Sequence, residues 1–152
     1  MSSPRYLLVD GHSVIHAWPE LRAVHRRQPR QAQEELIRKL RYFHDVGGWN
    51  VTIVFDGKSG PVAEPRRPGD LVVAYSRGDQ TADSVIEALV AAQTAPAARA
   101  HITVVTADEA ERVTVEALGS YCVSPEWLWL EMESAQADFD ETFRQAKRRE
   151  KW

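Results

Sequence analysis

The stretch YLLVDG at residues 6–11 decides the fold of this chain. Its short apolar run stops at Asp10-Gly11, a pattern that predicts a buried strand. Runs of the same kind predict further strands over 49–57, 71–76 and 101–108, and a short edge strand over 119–124. Because these runs are almost continuously apolar, they predict a parallel sheet that is covered on both faces.

Helical patterns separate the predicted strands. Residues 31–48 carry apolar side chains at helical spacing and end in two glycines, which predicts a helix and its stop. Similar patterns predict helices over 81–93, over 108–118 and from about 124 to 152. Strands that alternate with helices predict an α/β fold of three layers.

The segment between the first strand and the first of these helices is harder to interpret. It carries Pro19 and Pro29, and the residues around them have only short helical patterns. We expect a turn directly after Gly11, and then a short helical piece that the two prolines interrupt.

The composition is that of an ordinary globular protein, with 43% hydrophobic and 27% charged residues. Nothing marks a linker or a repeat, so residues 1–152 are expected to form one domain. The net charge of −3 argues against an overall electrostatic attraction to nucleic acid, although local basic clusters can still bind it. The single Cys122 excludes an internal disulfide, and the first apolar run is too short for a signal peptide or a membrane span. A cytoplasmic location is therefore expected.

An aspartate stands at or near the end of each of the four main predicted strands. Asp10 and Asp56 end the first two, Asp108 ends the fourth, and Asp83 opens the helix after the third. Ligands of open parallel sheets bind outside the carboxyl ends of the strands, where the strand order reverses. If the first and fourth strands are neighbours, Asp10 and Asp108 converge there, with Asp56 and Asp83 approaching from other directions.

Carboxylates gathered in this way need a counter-charge, because like charges raise one another's pKa. A hard divalent cation with oxygen ligands, Mg²⁺ or Mn²⁺, supplies that charge. One or two such ions can activate a water and stabilise the leaving oxygen of a phosphodiester, which indicates a nuclease. No Cys and His set with zinc spacing competes, since His12 and His16 are four residues apart but His12 is expected in a turn.

Each aspartate also has a purely structural interpretation. The two Asp-Gly pairs could form turns after their strands. Asp83 could lie in the first turn of a helix that Thr81 caps. Asp108 and Glu111 have the spacing of a capping pair, and Thr106 could cap the same helix instead.

Four stretches, in order and spacing, resemble a known family: LLVDGHSVIHAWPEL, VTIVFDG, VVAYSRGDQTADSVIEALV and ITVVTADEAERV. They resemble the YacP-like branch of the NYN domains, in the PIN-like nuclease superfamily, over residues 5–135. The resemblance implies a Rossmann-like, mostly parallel sheet of order 3-2-1-4-5 with helices on both faces. It also implies Mg²⁺-dependent cleavage of RNA. Because the branch includes a ribosome-associated endoribonuclease acting on messenger RNA, the resemblance adds the ribosome as a partner.

The resemblance assigns roles to individual positions. The central aspartates of the family match Asp10, Asp83 and Asp108, and a supporting one matches Asp56. We expect these four residues to be catalytic and to bind Mg²⁺ or Mn²⁺, with Asp56 bound directly or through a water. The residues expected to orient the carboxylates or the phosphate by hydrogen bonds are Ser13, Thr81, Thr106 and Glu111.

The Pro-, Gly- and Arg-rich loop after the second predicted strand is a candidate RNA-binding segment. It carries Lys58, Arg66 and Arg67, whose charges could hold the phosphates of single-stranded RNA. A solvated surface loop without a ligand is the alternative.

Two departures from the family pattern lead to a second hypothesis. The first motif commonly reads Asp-Gly-Tyr/Ser-Asn, where this chain has His12 and Ser13, and Gln80 stands where relatives often carry Glu. Loss of that negative charge would weaken a second metal site. The alternative function is therefore a non-catalytic or weakly active module that binds RNA or the ribosome. A haloacid-dehalogenase phosphatase is set aside because it needs an aspartate at position 12, and a dinucleotide-binding domain because the turn after Asp10 has one glycine.

Overall fold

The computed structural model describes residues 4–57 and 68–150. The strands of this part of the chain are β1 (Tyr6–Asp10), β2 (Asn50–Phe55), β3 (Val72–Tyr75), β4 (Ile102–Val105) and β5 (Tyr121–Val123). Its helices are α1 (Gly11–Ala17), α2 (Pro19–Arg27), α3 (Pro29–Val46), α4 (Ala82–Ala91), α5 (Pro96–Arg99), α6 (Glu109–Ala117) and α7 (Pro125–Glu150). Within these residues, no helix is both long enough and apolar enough to cross a membrane.

The strands form one parallel sheet of order β3-β2-β1-β4-β5. The α/β class and the strand order 3-2-1-4-5 are thereby confirmed. The strand order reverses at β1, which pairs with β2 on one side and with β4 on the other. The carboxyl ends of β1 and β4 therefore flank the position at which ligands of such sheets bind.

Helices cover both faces of the sheet, because side chains alternate between its faces along each strand. Leu7 and Val9 of β1 pack into a core with α1, α2, α3 and α7, whereas Leu8 packs on the other face against Ile86 of α4 and Val115 of α6. Two cores buried on opposite faces explain why the strands are almost continuously apolar.

The structure corrects the prediction for the segment after β1. Gly11 begins helix α1, so His12 lies in a helix and the prediction of a turn there is wrong. Pro19 and Pro29 do not interrupt a helical piece; each is the first residue of a helix, α2 and α3 respectively. The first position of a helix suits proline, because its missing N–H would have no intrahelical partner there.

The end of the fourth strand and one helix also differ from the prediction. The fourth strand ends at Val105 rather than at Asp108, because Asp108 is the N-cap of α6 and accepts the backbone N–H of Glu111. Helix α5 was absent from the predicted elements; it is one turn long, and short helices have weak periodicity in a sequence.

Candidate active site

Asp10 is fixed at the end of the central strand and at the start of α1. It is 7% exposed, and as the N-cap of α1 its Oδ1 accepts the backbone N–H of Ser13 at 3.3 Å. The Ser13 hydroxyl donates to Oδ2 at 3.1 Å. The next residue must be small, because a Cβ on Gly11 would collide with the ring of Phe55. Asp10 and Gly11 therefore join β1 directly to α1, which places the Asp10 carboxylate at the carboxyl end of β1.

Thr106 links Asp10 to the neighbouring strand. The register pairs Val9 with Val105, so position 106 follows beside Asp10. The Thr106 hydroxyl lies 3.4 Å from Asp10 Oδ2 and 2.8 Å from Glu111 Oε2, and it accepts the backbone N–H of Asp108 at 3.1 Å. With its single proton, this hydroxyl can donate to one carboxyl at a time, so the two acidic groups compete for it.

Glu111 is the most buried acidic residue of the site, with 1% of its surface exposed. Its Oε1 is buried and makes no hydrogen bond to the described residues. Burial, followed by the negative charges of Asp10 and Asp83, raises the pKa of Glu111 from 4.5 to about 8, against the lowering effect of the Thr106 hydrogen bond. Glu111 is therefore largely protonated at neutral pH when no cation is bound, and Oε1 is the oxygen free to carry the proton.

Asp83 approaches from the other side of the site. It is half-buried in the first turn of α4, where Thr81 and Ser84 form a capping box. Thr81 accordingly caps the helix, and the Asp83 carboxylate is not needed for the cap. Its charge acts on Glu111, which places Asp83, Glu111 and Asp10 in one electrostatic unit.

Asp108 and Asp56 lie further out on the same edge. Asp108 is exposed, and its Oδ1 caps α6 by accepting the backbone N–H of Glu111 at 3.1 Å, while Thr106 rather than Asp108 stands beside Asp10. Asp56 is half-buried directly after β2. Gly57 follows it and donates its N–H to the Ser76 hydroxyl at 3.0 Å, and a Cβ on Gly57 would collide with the Ser76 carbonyl oxygen. The Asp56-Gly57 turn therefore depends on the close approach of the end of β3.

The donor set of this acidic edge suits Mg²⁺ or Mn²⁺. A buried carboxylate oxygen on Glu111 has no hydrogen-bond partner among residues 4–57 and 68–150, and the carboxylates of Asp10 and Asp83 oppose its ionisation. A divalent cation would relieve both features at once. Among the described residues, the carboxylates do not gather closely enough to form a complete cage of three protein ligands. That is compatible with Mg²⁺, which usually keeps several waters and takes only one or two carboxylates.

A family model, that of the YacP-like NYN domain, matches residues 7–152. The chain belongs to the YacP-like NYN domain family. At the level of the family it is a nuclease-type domain, and the match extends through the strand ends that carry Asp10 and Asp56 and through α4 and α6.

Relatives of this YacP-like NYN domain support the assignment. The chain is 30% identical over 131 residues to YacP, an uncharacterized protein of Bacillus subtilis (strain 168), covering 86% of this chain and 76% of the relative. It is similar to the crystal structure of Rae1 (YacP) from Bacillus subtilis, with a TM-score of 0.79 and 26% identity, covering 95% of this chain and 83% of that one. A tryptophan-to-leucine mutant of the same protein matches with a TM-score of 0.79 and 28% identity, over 94% and 84% of the two chains.

Glu111 is more central to the acidic site of this NYN domain than its sequence position predicts. Glu111 was expected to orient other groups, yet it is the buried acid next to Asp10. The sequence held a signal for this, because Glu111 precedes the fully buried Val115 by four residues and therefore shares its inward helix face. The basic residues proposed to bind RNA, Lys58, Arg66 and Arg67, lie outside the described residues.

Proposed function

We propose that this chain is a metal-dependent endoribonuclease that hydrolyses phosphodiester bonds of single-stranded RNA. The observation that carries the proposal is the acidic unit at the reversal of strand order. There Thr106 lies between Asp10 and Glu111, and the charge of Asp83 reaches the same buried carboxyl. Such an arrangement places negative charge where a cation and a phosphate can meet.

The residues proposed to hold Mg²⁺ or Mn²⁺ are Asp10 and Asp83, with Glu111 beside them and with Asp108 and Asp56 on the same edge. A cation bound there would supply Lewis-acid stabilisation of the charge that develops on the phosphodiester. The chain itself supplies orientation. The Asp10 carboxylate is held by the N–H and the hydroxyl of Ser13, so its remaining lone pairs keep a fixed direction.

Glu111 contributes a carboxyl group whose pKa depends on its surroundings. Its Oε2 accepts a hydrogen bond from the Thr106 hydroxyl. Because its pKa of about 8 results from burial and then from the negative charges of Asp10 and Asp83, a cation at the site would lower that pKa and release the proton. Binding of the cation would therefore be coupled to deprotonation of Glu111.

The biological setting is part of the same proposal. We propose messenger RNA as the substrate, the ribosome as a partner and the cytoplasm as the location, as the resemblance of the sequence to the YacP-like branch implies. The sequence segment with Lys58, Arg66 and Arg67 follows Asp56 along the chain, so we propose that these residues contact the RNA backbone.

The test is cleavage of an end-labelled single-stranded RNA by the untagged protein with Mg²⁺ or Mn²⁺. Asp10→Asn and Asp83→Asn should each reduce the rate by about 100-fold or more, since a ligand to a catalytic cation is worth several kcal/mol. Asparagine also caps helices well, so Asp10→Asn should keep α1 folded. The matched control is Asp45→Asn, because Asp45 is exposed in the last turn of α3, away from the acidic site. Unchanged cleavage in both site mutants would contradict the proposal.

A second candidate function rests on the two positions that depart from the family pattern. The Ser13 hydroxyl is occupied by Asp10 and lies 3.3 Å from that of Thr106, and Gln80 accepts the backbone N–H of Arg77. Both side chains thus have local structural partners. Two results together would identify a non-catalytic binding module. The wild type would show no metal-dependent cleavage, and Asp10→Asn would bind RNA or ribosomes with the same affinity as the wild type.

A further inference from the structure

Three of the five histidines of the chain meet on two consecutive helices. His12 and His16 lie one turn apart on α1, and His25 lies on α2. The Nε2 atoms of His12 and His16 are 3.1 Å apart, and the ring of His25 lies 4.9 Å from that of His16 and 5.8 Å from that of His12. One nitrogen of each ring lies within 4.8 Å of the others.

The spacing of these nitrogens is close to that of a coordination sphere. Two imidazole ligands of a tetrahedral zinc ion, each about 2.0–2.1 Å from the metal, stand about 3.3 Å apart. The Nε2 atoms of His12 and His16 are already 3.1 Å apart, close to this ligand separation. One nitrogen of His25 lies within 4.8 Å of a nitrogen of each of the other two rings, so all three can approach the same ion.

The positions of α1 and α2 keep the three histidine rings close to one another. His12 and His16 are at positions i and i+4 of a helix and so share one face. The junction between α1 and α2 is fixed by Trp18, which is 3% exposed and donates its indole N–H to the carbonyl of Pro125 at 2.9 Å. The two helices therefore cannot swing apart without disrupting a buried contact, and the trio is held together before any ion arrives.

We propose that His12, His16 and His25 form a binding site for a first-row transition-metal ion of the zinc type, separate from the acidic edge. Imidazole nitrogen suits Zn²⁺, Cu²⁺ and Ni²⁺, whereas Mg²⁺ takes oxygen ligands. The positive charge of Arg22 reaches His16, so the site favours an ion held by coordinate bonds over one held by charge alone. Three protein ligands leave a fourth position for water or for an anionic ligand.

The site is accessible from solution and would act on the geometry of the acidic edge. His12 and His16 are exposed, and His25 is half-buried. An ion bound to all three rings would fasten α1 to α2 across the junction at Trp18. Since Asp10 is the N-cap of α1, the ion would also restrict the helix that orients the Asp10 carboxylate.

The test is titration of the untagged, chelator-stripped protein with Zn²⁺ at pH 7.5, by calorimetry and by thermal unfolding. This pH lies above the ordinary histidine pKa of about 6.5, and neutral imidazole is the form that binds metal. We expect one Zn²⁺ per chain and a rise in the unfolding temperature. His16→Ala and His25→Ala should each weaken Zn²⁺ binding by about tenfold or more, since even indirect perturbation of a metal ligand has an effect of that size. With Co²⁺, the visible absorption of a tetrahedral nitrogen site should appear in the wild type and disappear in both variants.

Two control variants locate the ion. His101→Ala removes an exposed histidine from another part of the molecule and should leave Zn²⁺ binding unchanged. Asp83→Asn alters the acidic edge and should also leave it unchanged, which separates this site from the proposed nuclease site. The proposal is overturned if the wild type binds no Zn²⁺ or if the two histidine variants bind Zn²⁺ as tightly as the wild type. It is also overturned if Asp83→Asn weakens Zn²⁺ binding and the histidine variants do not. Circular dichroism of each variant checks that α1 and α2 remain folded.

Discussion

At the scale of single residues, the raised pKa of the Glu111 carboxyl is the main electrostatic feature of the acidic edge. Its carboxyl is almost completely buried, and the structure holds it near the charges of Asp10 and Asp83. In the unfolded chain its pKa is near 4.5, while in the folded chain it is about 8. The folded state therefore binds this proton more tightly than the unfolded state over the whole range between these values.

The first prediction follows from that difference. The contribution of Glu111 to the free energy of unfolding is complete below pH 4.5 and is lost as the pH rises to about 8, with a slope of at most about 1.4 kcal/mol per pH unit. Glu111→Gln keeps the shape without the ionisation, so its stability should fall less over this range. Urea unfolding in EDTA at several pH values from 5 to 8.5 measures the difference between the two proteins. Parallel pH profiles would show that Glu111 is not protonated in the fold.

Thr106 gives the second prediction, because one buried hydroxyl serves several groups. It lies within hydrogen-bonding distance of Asp10, Glu111 and Ser13, and it accepts the N–H of Asp108. Thr106→Val has almost the same shape and leaves these groups without the hydroxyl, so the free energy of unfolding should fall by about 1–3 kcal/mol. Thr106→Ser restores the hydroxyl and should recover most of the loss in urea unfolding. No loss in Thr106→Val together with a loss in Thr106→Ser would mean that the methyl packing, rather than the hydrogen bonds, carries the effect.

At the scale of elements, Asp108 has a structural role that can be separated from the proposed one. Its Oδ1 caps α6 by accepting the backbone N–H of Glu111, and we propose the carboxylate as a metal ligand as well. Asp108→Ala removes the cap and should lower the free energy of unfolding by about 1 kcal/mol. Asp108→Asn keeps the cap and should be nearly as stable as the wild type.

The third prediction is that Asp108→Asn nevertheless loses RNA cleavage by about tenfold or more, because the amide cannot replace a carboxylate at a cation. Urea unfolding and the cleavage assay are measured on the same preparations of wild type, Asp108→Ala and Asp108→Asn. Full activity in Asp108→Asn would mean that Asp108 only caps α6. That is the structural interpretation that the spacing between Asp108 and Glu111 also allows.

Elements were predictable where a pattern depends on the chain alone. The apolar runs and their Asp-Gly ends identified the strands, and the parallel sheet follows from their continuity. Pro19 and Pro29 were misinterpreted because a proline can equally end one helix or begin the next, and the choice depends on how the following helix packs. The same applies to His12, whose helix exists because Gly11 can pack against the Phe55 ring of a distant strand.

The site was predictable in part for the same reason. The positions of Asp10 and Asp83 follow from strand ends and helix starts, which local sequence marks. The importance of Glu111 does not, because its raised pKa arises from its burial and from the charges of Asp10 and Asp83, which lie far from it along the chain. A sequence pattern can mark the inward face of a helix, yet it cannot show that the face meets a carboxylate.

At the scale of the whole molecule, helix α7 has two parts with different surroundings. Its first turns pack on the core: Leu128 is fully buried, and the Trp129 ring lies 5.2 Å from that of Trp18. From residue 136 to residue 150 every position is exposed, including Phe139 and Phe143. Intrahelical pairs such as Arg144–Glu141 support this part, but exposed pairs contribute little.

The fourth prediction is a gradient of hydrogen exchange along α7. Amides that open only with the core exchange slowly, whereas helix turns without buried contacts open locally with a small free energy. Peptides from 126–132 should therefore be protected to the same extent as those from α3, which carries the buried Leu36 and Leu40, and peptides from 140–150 should exchange orders of magnitude faster. Exchange measured by mass spectrometry at low protein concentration makes the comparison within one sample. Equal protection along the whole helix would contradict the exposed position of its second part. Protection that appears only on raising the protein concentration would show instead that a second copy of the chain covers Phe139 and Phe143.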